Sequence, residues 1–316
     1  MIVTLTPNPS LDLTYELEEM LRGEVQRAVT VSVEAGGKGI NVSRNLVANG
    51  VDSRAVAPVG GPSGEQFLSL LEESRIKLAR VPVNEPVRAN ITIVEREGVL
   101  TKINAAGPNL SNAEVDRLLQ ETATAGSGAD WVAACGSLPP GAPKDLLARV
   151  VTAAREAGCR AAVDSSGAPL IAALEAKPDL LKPNLEELSE IAGRRLTTFG
   201  DVLAAAEEVR ASGIATVFVS LGADGAILVD ESGARHADTL PFTPRSTVGA
   251  GDALLAGFLA AGGAGVAALV EGVAWGAAAA RLPGTRTLTP GDVDRDSVRV
   301  RNAIDKERQL KGEAPR

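Results

Sequence analysis

Aromatic side chains are scarce in this sequence, at 3% of residues, so a ligand held mainly by ring stacking is disfavoured and polar side chains must read it. Histidine occurs once, as His236, which leaves little for His-based triads or multi-histidine metal sites. Its polar setting, Arg-His-Ala-Asp, points to the surface. Cysteine occurs twice, at Cys135 and Cys159, with no second Cys or His near either. Neither a disulfide framework nor a zinc site is supported, and both thiols are expected in the core.

Positive charge is also short. Against 40 Asp and Glu stand 32 Lys and Arg, a net charge of −8, with no basic cluster of the kind a nucleic-acid backbone requires. An anionic substrate must then be held by a few local cations. Long apolar runs are missing as well, because the Ala-rich stretch 253–280 is broken by glycines and Glu271, so no membrane span is expected. The opening MIVTLTPNPSLD lacks a basic region ahead of an apolar one, which makes the cytoplasm the expected compartment.

What is present suits a folded enzyme. The 316 residues are 45% hydrophobic, enough for a sizeable core. Short apolar runs at 1–6, 55–59, 131–134, 161–164, 180–182, 216–220 and 226–229 read as strands. Segments of helical spacing at 41–49, 64–74, 111–125, 143–157, 185–191, 201–212 and 252–261 fall between them. This alternation predicts an α/β body with a mostly parallel sheet. Two stretches, 13–33 and 87–104, break the rhythm with a period of two and predict a small discontinuous β lid on a body of residues 1–12, 34–86 and 105–316. The charged tail from Asp294 onward is expected to fray.

The segment STVGAGDALLAGFLA sets Gly249, Ala250 and Gly251 directly before a helix whose first turn carries Asp252. Small residues let backbone N–H groups converge, and a helix N-terminus adds unpaired donors and partial positive charge. Such a loop can cradle a phosphoryl group, and an acid there can take a proton from a hydroxyl held in line. The same four residues also fit a plain tight turn with an acidic cap. The dinucleotide fingerprint fails at Leu254 and the Walker pattern fails at Gly39, which disfavours a Rossmann dehydrogenase and a P-loop enzyme. A second glycine motif, GGKGINVSRNL at 36–46, permits close backbone approach to a ligand.

With these two motifs in this order, the chain resembles the ribokinase-like sugar kinases, specifically their phosphofructokinase B branch. Further matches follow along almost the whole chain: TPNPSLD at 6–12, GSLPPG at 136–141, KPNLEE at 182–187 and SLGADGA at 220–226. The resemblance implies a ribokinase-like α/β fold, ATP and Mg²⁺ as cofactors, and catalysis by Asp252 with Gly249, Ala250 and Gly251. It implies a metal-associated pair at Asn184 and Glu187, and a nucleotide-binding turn at Ser220, Leu221, Gly222, Ala223, Asp224 and Gly225, completed by Gly251 and Asp252. On the sugar side it implies Asp12, Gly37, Lys38, Asn41, Arg88, Lys102, Asn104 and Ser137. Among these, Arg88 matches an arginine that grips the phosphate already on the substrate, a task suited to a two-pronged guanidinium.

The TKINAAGP and STVGAGD segments are most similar to those of 1-phosphofructokinases, which implies phosphorylation of D-fructose 1-phosphate to fructose 1,6-bisphosphate. Ala105-Ala106 depart from the Glu-Pro usual there. Tagatose-6-phosphate kinases and 6-phosphofructokinases are near relatives, and a non-catalytic sugar-phosphate sensor is the alternative from another class. In related kinases such lids pair with one another, so a homodimer through the lid is expected, with neither nucleic acid nor membrane as partner.

Overall fold

The computed structural model describes residues 1–96, 98–284 and 286–311. The first third contains β1 (Ile2–Leu5), β2 (Ser10–Leu17), β3 (Thr30–Gly36), α1 (Lys38–Ala48), β4 (Ser53–Val59), α2 (Gly61–Glu73), β5 (Lys77–Pro82), β6 (Arg88–Glu95) and β7 (Leu100–Ile103). There follow α3 (Asn112–Gly126), β8 (Trp131–Cys135), α4 (Leu146–Glu156), β9 (Arg160–Asp164), α5 (Gly167–Glu175), β10 (Leu180–Leu181), α6 (Leu185–Ala192) and α7 (Phe199–Ala211). The last third adds β11 (Thr216–Ser220), β12 (Ala226–Asp230), β13 (Gly233–Thr239), α8 (Ala250–Ala260), α9 (Gly265–Arg281) and β14 (Val298–Arg301).

These strands form a ten-stranded sheet in the order β14-β13-β12-β11-β10-β9-β8-β1-β4-β5 and a four-stranded sheet in the order β3-β2-β6-β7. In the large sheet β11 through β5 run parallel, and β12, β13 and β14 add antiparallel at one edge. Its inner strands are apolar on both faces because helices cover both. Along β8, Val132 and Ala134 face the layer of α3 and α4, while Trp131, Ala133 and Cys135 face α8 and α9. The alternation is the period of two of an extended chain.

The Ala-rich run 253–280 resolves into α8 and α9 packed side by side. A side chain at Gly257 would lie 2.7 Å from the carbonyl of Glu271, so the two helices approach as closely as they do only because glycine stands there. No helix among the described residues is long and apolar enough to cross a membrane.

Several features differ from expectation. His236 is buried at 2% exposure on β13, because the antiparallel edge beyond β12 is itself covered by α7 and the C-terminal segment. Residues 294–311 are structured, since β14 pairs with β13 and Phe199 N–H donates to the Arg308 carbonyl, and the rest of that tail, 312–316, lies outside the described residues. The long helix α9 and the shorter α5 were absent from the sequence reading. Both thiols are buried as expected.

The four-stranded sheet begins at Ser10 and ends its second strand at Gly36, which carries it into stretches assigned to the body from sequence. Register pairs put Ser10, Asp12, Thr14, Arg88, Asn90, Thr92 and Lys102 on one face. Leu13, Tyr15, Val31, Val33, Ile91, Ile93 and Ile103 lie on the other. One face is therefore polar and the opposite face apolar.

Candidate active site

The carboxyl ends of the parallel strands converge on one cleft, the usual place for ligands in an open α/β sheet. Thr6, Gly136, Asp164, Lys182 and Ser220 leave β1, β8, β9, β10 and β11 there. Gly249, at φ 77°, turns the chain in the left-handed region that a side chain disfavours, and α8 begins directly after it. No side chain caps this helix, so its first turn can serve an anion. Asp252 sits in that turn at 7% exposure and accepts a 2.8 Å hydrogen bond from Asn41 Nδ2. Burial pushes its carboxyl up to about 6, helped by the charge of Asp164 and opposed by Lys38, Asn41 and Lys182. A carboxylate poised there is ionised at neutral pH and still basic enough to receive a proton.

Close to Asp252 lies an ion triad. Asp164, fully buried at the end of β9, pairs with Lys38 Nζ at 2.7 Å and Lys182 Nζ at 3.0 Å. Burial alone would raise the Asp164 carboxyl, but Lys182 and Lys38 outweigh it and hold it below the usual carboxylate range. Burial would likewise depress the Lys38 ammonium, yet Asp164, Asp252 and Glu187 keep it above an ordinary lysine. A side chain at Gly251 would come within 3.8 Å of Lys182 Nζ, so this ammonium lies against the glycine loop. Two lysines and an uncapped helix N-terminus thus stand together, an arrangement that can stabilise negative charge on a ligand. Asp164 and Lys182 were missed from sequence. Their signal was positional, since each ends or directly follows a strand at the ligand-binding edge.

Among the residues expected to read a sugar, Asp12 faces Asn90 across β2 and β6. Asp12 Oδ1 accepts from Ser10 Oγ at 2.7 Å and from Asn90 Nδ2 at 3.0 Å. Any side chain at Gly36 would collide with the Asp12 carboxylate, and Gly37, at φ 118°, packs against Thr6. Arg88 donates from Nη1 to the Ala105 carbonyl at 2.8 Å and from Nη2 to the Asn8 carbonyl at 3.1 Å. Its Nε is buried without a partner, as are Asn8 Oδ1, Asn90 Oδ1 and Thr6 Oγ1. Arg88 bonds the Asn8 carbonyl and Asn90 lies two residues along the same strand, so three of these atoms share one neighbourhood, where a polar ligand could satisfy them. Asn8 was not singled out from sequence. Its Nδ2 lies 3.4 Å from Ser137 Oγ, which brings Ser137 to the same group. Lys102, opposite Thr92, and Asn104 are exposed, the former on the same polar face as Arg88.

Across the cleft, Ser220 bridges to Asn184. Gly222 and Ala223 are exposed, Leu221 is buried, and a side chain at Gly225 would strike the Ala237 carbonyl. Asp224 does not open to the cleft. It is 2% exposed, and its carboxylate accepts from Arg308 Nη2 and the Lys311 backbone N–H, both at 2.7 Å. A nucleotide contact at this turn therefore falls to backbone and not to the Asp224 side chain. Asn184 and Glu187 form a reciprocal helix cap: Asn184 Oδ1 accepts from Glu187 N–H and Glu187 Oε2 from Asn184 N–H, each at 2.8 Å. Cap and metal roles are compatible for Glu187, whose second carboxylate oxygen remains. Burial, with Asp164 next, raises its carboxyl, a strain that a nearby divalent cation would relieve.

Comparison with known proteins identifies the family. The family model for pfkB family carbohydrate kinases matches residues 6–291. A 1-phosphofructokinase of Haloferax volcanii is 39% identical over 304 residues, 95% of this chain and 97% of its own. The ATP-dependent 6-phosphofructokinase isozyme 2 of Escherichia coli is 37% identical over 300 residues, 93% and 97% of the two chains. Among solved structures, phosphofructokinase-2 from Escherichia coli in complex with potassium superposes with a TM-score of 0.87 at 35% identity, covering 92% of this chain and 96% of that one. The ribokinase-like architecture is shared, and the chain belongs to the pfkB family of carbohydrate kinases.

Proposed function

We propose that this protein transfers the terminal phosphoryl group of ATP to a hydroxyl of a ketohexose phosphate, with D-fructose 1-phosphate as acceptor and fructose 1,6-bisphosphate as product. The observation that carries it is Arg88, which shares one face of the four-stranded sheet with Asp12 and Asn90 and keeps a buried, unpartnered Nε. Asp12, Asn90 and Asn8 orient the sugar, and Arg88 grips the phosphate it already carries. Asp252 accepts the hydroxyl proton as the new O–P bond forms. The bond from the terminal phosphorus to its bridging oxygen breaks, and ADP leaves with the electron pair. The first turn of α8, with Lys38 and Lys182, stabilises the charge on the moving phosphoryl group. Glu187, with Asn184, would hold Mg²⁺, which would supply charge neutralisation on the donor.

The turn 220–225 offers backbone to the nucleotide, and the four-stranded sheet serves as the lid. Its apolar outer face, with Val31 and Ile103 each 54% exposed, favours pairing with the lid of a second copy. A 6-phosphofructokinase is the second reading, favoured by one contact. The carbonyl that orients Arg88 belongs to Ala105, within the pair that departs from the 1-phosphofructokinase pattern. ADP release measured in parallel against fructose 1-phosphate, fructose 6-phosphate and tagatose 6-phosphate decides among them. Highest kcat/KM for fructose 1-phosphate supports the reading, and no turnover of any would leave a sensor.

A further inference from the structure

Asn41 lies between two groups that each tolerate only one end of its amide. Arg44, one turn along α1, donates from Nη1 to Asn41 Oδ1 at 2.8 Å, and from Nη2 to the Ala35 carbonyl at the end of β3. On its other side Asn41 Nδ2 donates to Asp252 Oδ2 at 2.8 Å. A guanidinium has donors only, and an ionised carboxylate has acceptors only. The two ends of an amide exchange by a half-turn of the side chain, so its orientation is set by its neighbours' chemistry. Here the neighbours allow a single orientation.

We propose that Arg44 is a positioning residue for phosphoryl transfer: by holding Asn41 Oδ1 it keeps the amide N–H aimed at Asp252. The distinction matters when Asp252 is protonated. A carboxylic acid can donate to an amide oxygen, so an unrestrained Asn41 would turn over and stabilise the acid. Arg44 forbids that turn and penalises the protonated, inactive form. The groups facing Asp252 from the packed elements are Asp164 on β9, Lys38 and Arg44 on α1, Lys182 after β10, and Cys135 on β8. The Cys135 thiol is held well above its ordinary range by burial and stays neutral. None of these restrains Asn41 by a hydrogen bond except Arg44. Arg44 also ties the base to the strand that leads from the lid into Gly36 and Gly37.

The inference rests on Asp252 as the base, and pH profiles of kcat/KM separate the two claims. Arg44→Met should move the acid limb upward by about one pH unit, about a tenfold loss below the limb with a smaller loss above it. Arg44→Lys, which also offers only donors, should keep most of the wild-type profile. Asn41→Ala should shift the limb similarly, and Arg44→Met added to Asn41→Ala should shift it no further. An even loss of rate at every pH, or additive shifts in the double variant, would overturn the proposal while leaving the base assignment intact. Wild-type turnover by Asp252→Asn would instead remove the base. A measurement on the unaltered protein covers the case in which Arg44→Met does not fold. The Asn41 side-chain NH₂ resonances, assigned by their loss in Asn41→Ala, should titrate with the acid limb, and pH-independent resonances would sink the idea.

Discussion

Arg308 closes a 2.7 Å ion pair on the buried carboxylate of Asp224, fastening the C-terminal segment to the turn that follows β11. The Arg308 guanidinium also lies 4.4 Å over the Phe199 ring, which meets His236 edge-on, and His236 contacts the Asp224 carbonyl at 2.6 Å. Arg308→Ala would leave a carboxylate at 3% exposure with, among the described residues, Lys311 as its remaining cation. Because Arg308 is itself partly exposed, a loss of about 1 to 3 kcal/mol is expected, less than for a fully buried pair. Thermal denaturation should show it. The KM for ATP should rise several-fold while that for the sugar phosphate stays within twofold, and an unchanged ATP KM would detach this clasp from nucleotide binding.

Asp252→Asn should lower kcat by about 10² or more with little change in sugar-phosphate KM. Stability should move the other way. The folded-state carboxyl stands near 6 against an ordinary 3.8, so the folded chain binds this proton more tightly than the unfolded one. Ionised Asp252 therefore opposes folding above about pH 6, and the penalty fades as pH falls from 6 toward 4. Denaturant titration should find Asp252→Asn more stable than wild type by on the order of 2 kcal/mol at pH 7.5 and equal to it near pH 4. In the unaltered enzyme kcat/KM should fall tenfold per pH unit below about 6.

Arg88 separates a sugar-phosphate kinase from a plain sugar kinase. Arg88→Ala should raise KM for fructose 1-phosphate by about tenfold or more and leave KM for ATP nearly unchanged. Lys should recover only part of this, since an ammonium cannot reproduce the fork that spans the Ala105 and Asn8 carbonyls while presenting Nε. If both constants hold steady in Arg88→Ala, the phosphate is read elsewhere.

Glu187→Gln isolates charge from structure, because Gln can also accept from the Asn184 N–H and so preserve the cap. The Mg²⁺ concentration for half-maximal rate should rise at least about threefold, at unchanged thermal stability. Overlapping Mg²⁺ titrations would reduce the pair to a helix start.

The outer face of the lid predicts an oligomer. Ile91 and Ile103 are register partners there, next to Leu13, and a charge at that point would be buried in a lid-to-lid contact. Light scattering after size exclusion should give a dimer for the wild type and a monomer for Ile103→Asp. An identical mass for both would place any interface elsewhere.

Local patterns carried the fold a long way. The parallel strands were readable because both faces are covered and each is a short apolar run, and Gly-Ala-Gly-Asp announced a helix start because left-handed backbone and an uncapped first turn are properties of adjacent residues. The two-period strands of the four-stranded sheet were readable for the same reason, though Ser10 and Gly36 fall outside the stretches read from sequence. The miss at His236 follows equally: its neighbours Arg235 and Asp238 are polar, and nothing nearby in the chain indicates that α7 and the C-terminal segment cover it.

By itself, then, the sequence determined the alternation of strands and helices and the polar and apolar faces of the small sheet. Only the tertiary structure decided their partners. Lys38 meets Asp164 across 126 residues of chain, Asp252 meets Asn41 across 211, and Arg308 meets Asp224 across 84. Backbone propensity and side-chain periodicity act over a few residues and leave no trace of such pairings. Buried charge, by contrast, is tolerable only where packing delivers an opposite charge within hydrogen-bond reach, and that is settled by the way the strand ends and helix starts come together.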